Sequence, residues 1–230
     1  MEAKDRKKEF RIGLAMMAAF TAVLVVMFVP LFGDHNGLQY LDALYNSISK
    51  GSADYIPDTR RQVAAFQGAP VELEFDLGEA ALATGAAVQL NAAGAMVNVS
   101  GTRMKVAGDL GEMLNASLDD AAAMYRNDGK ALEARYGIEG RRAMYNWWKT
   151  IVAMSKALTK QERFKEARLL DLVKSRAVET AYNYYGIEAQ KISERWAVVS
   201  FSLVFYVIYT LWYGFGILYL FEGSGMRLEH

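Results

Sequence analysis

Two unbroken apolar runs stand near opposite ends of this chain, separated by a stretch in which polar and apolar positions alternate at shorter periods. Residues 12–32 and residues 196–221 contain no charged side chain. At a rise of about 1.5 Å per residue, each run outlasts the roughly 30 Å hydrocarbon core of a bilayer, so each is predicted to be a membrane-spanning helix. The expected organisation is a basic segment 1–11, a first span 12–32, a domain 33–195, a second span 196–221 and a short tail 222–230. In that tail Leu228-Glu229-His230 reads as the start of an expression tag, and His230 is set aside. The predicted fold class is a mainly α membrane protein whose two spans flank an α+β domain.

Within the domain the period changes several times. Leu38, Leu41, Leu44, Tyr45 and Ile48 recur at helical spacing, and Pro57 suits the first turn of a second short helix that stops at Gly68. Alternation then predicts strands at 71–75, 87–90, 96–99 and 104–106, with a hairpin turn at 91–94 between the middle two. From Asp109 the pattern is helical: one segment over 110–136, interruptible at 127–129, and another over 139–158. Thr159 with Glu162 resembles a capping box that opens a third segment. There Leu170, Val173, Ala177, Ala181, Tyr185, Ala189, Ile192 and Trp196 keep a 3.6-residue period, which predicts one rod running into the second span, kinked at Gly186. Two tetrapeptides recur, Asp76–Glu79 at Asp109–Glu112 and Tyr136–Glu139 at Tyr185–Glu188. Their separations of 33 and 49 residues share no period, so they point to coincidence or to similar helix-end chemistry and not to a solenoid.

Charge adds an orientation. Lys4, Arg6, Lys7, Lys8 and Arg11 precede the first span, and no Lys or Arg follows it until Lys50, which places the N-terminus in the cytoplasm. Two spans return the C-terminus to that side, so the domain is expected outside the inner membrane of a bacterium. Lys191 and Arg195, on the outer flank of the second span, run against this pattern. No A-x-A-like cleavage site precedes Asp34, so the first span is expected to be retained. Residues 34–128 hold 13 acidic and 6 basic side chains, whereas residues 129–195 hold 8 acidic and 14 basic. The formal net charge is +0, which gives no reason to expect nucleic acid. The absence of cysteine excludes disulfides and thiolate chemistry.

The two spans differ in character. Ala15, Ala19 and Ala22, with Ala18, give the first a small-residue spacing suited to close helix packing. In the second, Ser202, Tyr206, Tyr209 and Tyr213 fall on one face with Thr210 beside them. This hydroxyl stripe suits either a helix–helix interface or the lining of a pore. Asp34, just outside the first span, and Glu222, the first polar residue beyond the second, would form rings of carboxylates at the mouths of an oligomer.

Candidate chemistry is sparse. His35 is the one histidine outside the tag, too few for a metal centre in one chain. Ser47-Ile48-Ser49-Lys50 matches S-x-x-K, but its usual companion motifs are missing. Asn98-Val99-Ser100 and Asn115-Ala116-Ser117 match a glycosylation sequon, and Asp119-Asp120 reads as a solvated helix face. No cofactor, metal or catalytic residue is expected, and the chain is not expected to be an enzyme. The leading expectation is a homo-oligomeric membrane protein in contact with lipid, conducting ions along the second span and gated through its outer domain. The alternatives are an accessory subunit that docks other membrane subunits, and the sensory part of a truncated receptor.

Overall fold

A computed structural model describes residues 3–226; the tag-like Leu228–His230 lies outside the described residues. In chain order the elements are α1 (Ala3–Phe28), α2 (Gly37–Ser52), α3 (Ile56–Val63), β1 (Pro70–Asp76), α4 (Ala80–Ala92), β2 (Met96–Ser100), β3 (Arg103–Asp109), α5 (Leu110–Tyr125), α6 (Gly129–Tyr136), α7 (Gly140–Lys160), α8 (Phe164–Val173), α9 (Glu179–Tyr184) and α10 (Ile192–Ser224). The chain divides into two compact units, one made of Met1–Ser49 with Ala189–His230, the other of Lys50–Glu188.

The first unit is built on α1 and α10, which are long and apolar enough to cross a membrane. Only 6 % of each apolar window is buried, whereas the core helix of a water-soluble fold is mostly buried. The two helices pack antiparallel. Gly13 makes this approach feasible: a Cβ there would lie 2.7 Å from the backbone nitrogen of Leu220 and 3.0 Å from the carbonyl of Gly216. After α1 a tight turn pairs Phe32 with His35. Helix α2 then begins with a reciprocal capping box: Asn36 N donates to Gln39 Oε1 (3.0 Å) and Gln39 N to Asn36 Oδ1 (2.9 Å).

The second unit packs a three-stranded antiparallel sheet, ordered β1-β3-β2, against helices. β1 alternates buried and exposed residues along its length, as a strand with one face on a core requires. Register runs from Pro70 opposite Asp109 to Asp76 opposite Arg103. Val71, Leu73, Phe75, Met104 and Val106 join Leu90, Leu114, Trp147 and Leu158 in one apolar core.

Three expectations fail here. Residues 87–90 belong to helix α4, so the expected strand and its hairpin turn do not form. Six alanines in that segment favour helix, and Leu82, Ala83, Ala86, Gln89 and Leu90 are buried at helical spacing. Thr159 caps nothing: α7 continues through Lys160, and the Thr159 hydroxyl bonds back to the carbonyl of Ser155 (2.9 Å). Glu162 takes a left-handed φ of 60°, and α8 starts only at Phe164. The rod into the second apolar helix is also broken. A π turn at Lys174–Val178 precedes α9, and residues 185–191 separate α9 from α10, with Gly186 at φ 86°. Leu170, Val173, Ala177 and Ala181 are core residues, whereas Ile192 and Trp196 are exposed. The shared period thus belongs to two unrelated faces.

Candidate functional site

The hydroxyl stripe of α10 divides between two faces. Ser202 is buried, bonded to the hydroxyl of Tyr45 (2.6 Å) and donating to the carbonyl of Val199 (2.8 Å). Tyr209 stacks on Phe20 with ring centroids 4.2 Å apart and donates to its carbonyl (3.3 Å). Tyr213 lies 5.1 Å from the same ring. Tyr206 is 67 % exposed and points elsewhere, and Thr210, also exposed, returns its hydroxyl to the Tyr206 carbonyl (2.8 Å). Ala15, Ala19 and Ala22 are exposed on α1; the face against α10 carries Gly13, Met17 and Phe20 instead. Asp34 and Glu222 are exposed, Asp34 in the turn after α1 and Glu222 in the last turn of α10.

In the domain unit Lys50 is buried, only 3 % exposed. Its ammonium donates to Asn127 Oδ1 (3.0 Å) and to the carbonyls of Tyr184 (3.1 Å) and Ile187 (2.6 Å), while its own carbonyl accepts from the Tyr125 hydroxyl. Burial lowers the Lys50 pKa, against the pull of Glu188 in the other direction. Asn127 is the hub. At φ 64° it also accepts from Gly186 N (2.8 Å) and donates to Ile187 O (3.1 Å) and Glu188 Oε1 (2.9 Å). This arrangement ties together the points where the chain joins and leaves the domain. The S-x-x-K pair does not form a catalytic couple, because the Ser47 hydroxyl donates to the Leu44 carbonyl (2.7 Å) and the lysine is spent elsewhere.

Asp120 departs from the expected solvated face. Its side chain is 0 % exposed and holds Arg135 (2.7 Å) and the indole nitrogen of Trp147 (2.7 Å). Burial raises its pKa, while those donors and Tyr136 oppose the rise. Its neighbour Asp119 does sit at the surface, paired with Arg60 (2.7 Å).

A different surface gathers groups suited to recognition. Between α7 and α9 lies a cleft of about 380 Å³ lined by Met144, Tyr145, Trp148, Glu179, Tyr182 and Asn183. Trp148 donates to Glu179 Oε1 (2.7 Å), which fixes the indole, and Tyr145 stacks on Trp148 at 6.3 Å. Cations cover these rings: Arg142 lies 5.5 Å from Tyr145, Lys149 5.5 Å from both Tyr145 and Trp148, and Arg141 5.9 Å from Tyr182 and 5.4 Å from Tyr185. The π turn adds a residue just before Glu179 and so sets which α9 side chains meet α7. None of these residues is among the candidates read from sequence: Arg141, Tyr145, Trp148 and Lys149 recur at helical spacing, but nothing local marks their α9 partners.

Among the described residues no group of three His, Asp or Glu stands close enough to hold a metal ion. Comparison of the chain with protein families, with curated proteins and with solved structures gave no match.

Proposed function

We propose that this protein is a membrane-anchored docking subunit. The paired helices α1 and α10 hold it in the inner membrane with both termini cytoplasmic, and the outer domain recruits a partner through the α7–α9 cleft. The observation that carries the reading is the cleft itself: Tyr, Trp and Arg together, rings already fixed by Glu179 and by cation–π contacts. Those residue types dominate binding energy at protein interfaces, and pre-ordered side chains lower the entropy cost of association. Arg142 is paired with Glu79 (3.3 Å), and Arg141 and Lys149 against Glu179 leave the rim one charge positive. The fitting partner is therefore an acidic segment that offers one apolar side chain to the cleft.

Photo-crosslinking from Tyr182 in intact membranes tests this. The expected product is a partner peptide containing Asp or Glu, with yield reduced at least about tenfold by Arg141→Glu with Lys149→Glu, since like-charge contact costs several kcal/mol. Products without acidic residues, or yields that ignore the charge reversal, refute the reading. Membrane anchoring is checked separately by an alkaline wash, which should leave the protein in the pellet.

A second reading, ion conduction by an oligomer, rests on Tyr206 and Thr210, which stay on the face of α10 away from α1. It loses Ser202 and Tyr209 to contacts within the chain. Ion flux into proteoliposomes that responds to Tyr206→Leu would favour it over docking.

A further inference from the structure

We propose that the first unit carries a phospholipid site, with one acyl chain in an apolar groove and the phosphate held by Lys191 and Arg195. The groove, of about 470 Å³, lies where the end of α1, the start of α2 and the first turns of α10 meet. Met27, Tyr40, Phe201 and Phe205 wall it, and the small residues Gly37 and Ala197 leave it open. Tyr40 stacks on Phe32 at 4.9 Å, and Phe201 on Phe205 at 6.0 Å, so the walls are built of paired rings. Of the two hydroxyl-bearing residues in the lining, Tyr40 and Ser202, the latter is already bonded to Tyr45 and Val199. An occupant therefore meets a lining that is apolar apart from the Tyr40 hydroxyl, which favours a hydrocarbon chain over a head group.

The mouth has the opposite chemistry. Arg195, Val198, Ser202 and Phe205 follow a 3-4-3 spacing on α10, which puts Arg195 on the groove-facing side about one turn before Val198. Its Nε donates to Gln190 Oε1 (2.7 Å), which holds the guanidinium in place and leaves the two terminal nitrogens without a partner among the described residues. Lys191, the N-cap of α10, is likewise exposed and unpaired. Glu194 lies in the same turn, so the three groups carry one net positive charge. That suits a phosphodiester with one negative charge, and argues against a phosphomonoester. It also accounts for two cations on the flank of α10 where the charge pattern of the spans predicts none.

The inference rests on the helical pair being in the membrane, and the alkaline wash tests that part alone. The site is tested on the full chain, purified in detergent, delipidated and returned to vesicles of phosphatidylethanolamine and phosphatidylglycerol, with bound lipid read by native mass spectrometry. One phospholipid per chain is expected. Lys191→Gln with Arg195→Gln should weaken its retention about twenty-five-fold, since each cation at an anionic head group contributes roughly a factor of five. Ala197→Phe, at an exposed helical position, should fill the groove and expel lipid while the protein stays in the membrane. Lipid retained equally by both variants overturns the site. So does a long-chain alcohol that binds the wild type as tightly as phospholipid, or a cross-link from Phe201 to a second copy of the chain.

Discussion

Asn127 is expected to hold the Lys50 cluster together, and the lysine to be dispensable, although the lysine carries the charge. Each oxygen that Lys50 touches has a second donor. Asn127 Oδ1 keeps Gly186 N, Ile187 O keeps Asn127 Nδ2, and Tyr184 O keeps Ile187 N (3.1 Å). Lys50→Met therefore leaves no acceptor unsatisfied and removes a buried charge, so its net cost should stay within ~1 kcal/mol. Asn127→Ala removes four hydrogen bonds, one of them to an ammonium, for ~1–3 kcal/mol. It also forces a Cβ-bearing residue without a local hydrogen bond to hold φ 64°, for ~1–2 kcal/mol more. At about 1.4 kcal/mol per factor of ten, opening of the turn at Gly186 and Ile187 should rise at least ~30-fold in Asn127→Ala and less than ~10-fold in Lys50→Met. Asn127→Gly should recover the backbone share alone. Native-state hydrogen exchange of the Gly186 and Ile187 amides in the full chain measures this. Equal effects from Lys50→Met and Asn127→Ala would refute the reasoning, because the lysine would then be the keystone.

Three further outcomes follow from packing and charge. Gly111→Ala places a Cβ 2.8 Å from the Gln67 backbone and the Phe66 carbonyl, so chemical denaturation should show a loss of ~1–3 kcal/mol, while Gly214→Ala, with nothing within 4 Å, should show none. Gly13→Ala should push α1 off α10 and slow disulfide formation in the Phe20→Cys, Tyr213→Cys pair, whereas Ala19→Leu on the exposed face should not. The Tyr125 and Tyr136 phenols are both pushed up to about 12, foremost by burial. Their folded values lie above the ordinary 10, so the stability they contribute is complete below pH 10 and falls as pH rises toward 12. Lys50, with a lowered pKa, acts in the opposite sense and only below its ordinary 10.5. Tyr125→Phe should flatten the alkaline loss in a thermal-melt series across pH 9–12; an unchanged slope would count against it.

Sequence and structure agree on most of the long signals, the period over 170–196 excepted, and where the punctuation is chemical. The two apolar runs and the helices around Leu114 and Trp147 exceed ten residues, and strands β1, β2 and β3 alternate at two. The recurring Tyr-Gly-Ile-Glu is explained by helix ends: Gly137 stops α6 at φ 66°, and Gly186 takes φ 86° just after α9. Short signals mislead. Four residues at 87–90 fit both periods, and the alanines around them decide for helix. Thr159 and Glu162 have capping-box spacing, yet Ile151, Met154 and Leu158 keep α7 buried through that point. A threonine hydroxyl that can bond back within its own helix is no stop signal.

The recognition groups were harder to read because each depends on contacts far along the chain. Lys50 looks like half of a catalytic motif with Ser47 three residues away, but its acceptors stand 77, 134 and 137 residues distant. On α7, Arg141, Tyr145 and Trp148 form a stripe that any helical reading places on one face. That face gains Glu179 and Tyr182 only because a π turn shifts the phase of α9, and no propensity scale registers one extra residue in a turn. The hydroxyl stripe of α10 divides for a related reason. Residues spaced three and four apart span an arc wide enough to serve two neighbours, and Phe20 and Tyr45 take Tyr209 and Ser202 while Tyr206 is left outside. The position of a residue on its own helix is thus encoded locally, but its role is set by which element arrives opposite. In this chain that is decided at a few special backbone positions: Gly13 where the helices touch, Asn127 and Gly186 where the domain closes its own ends.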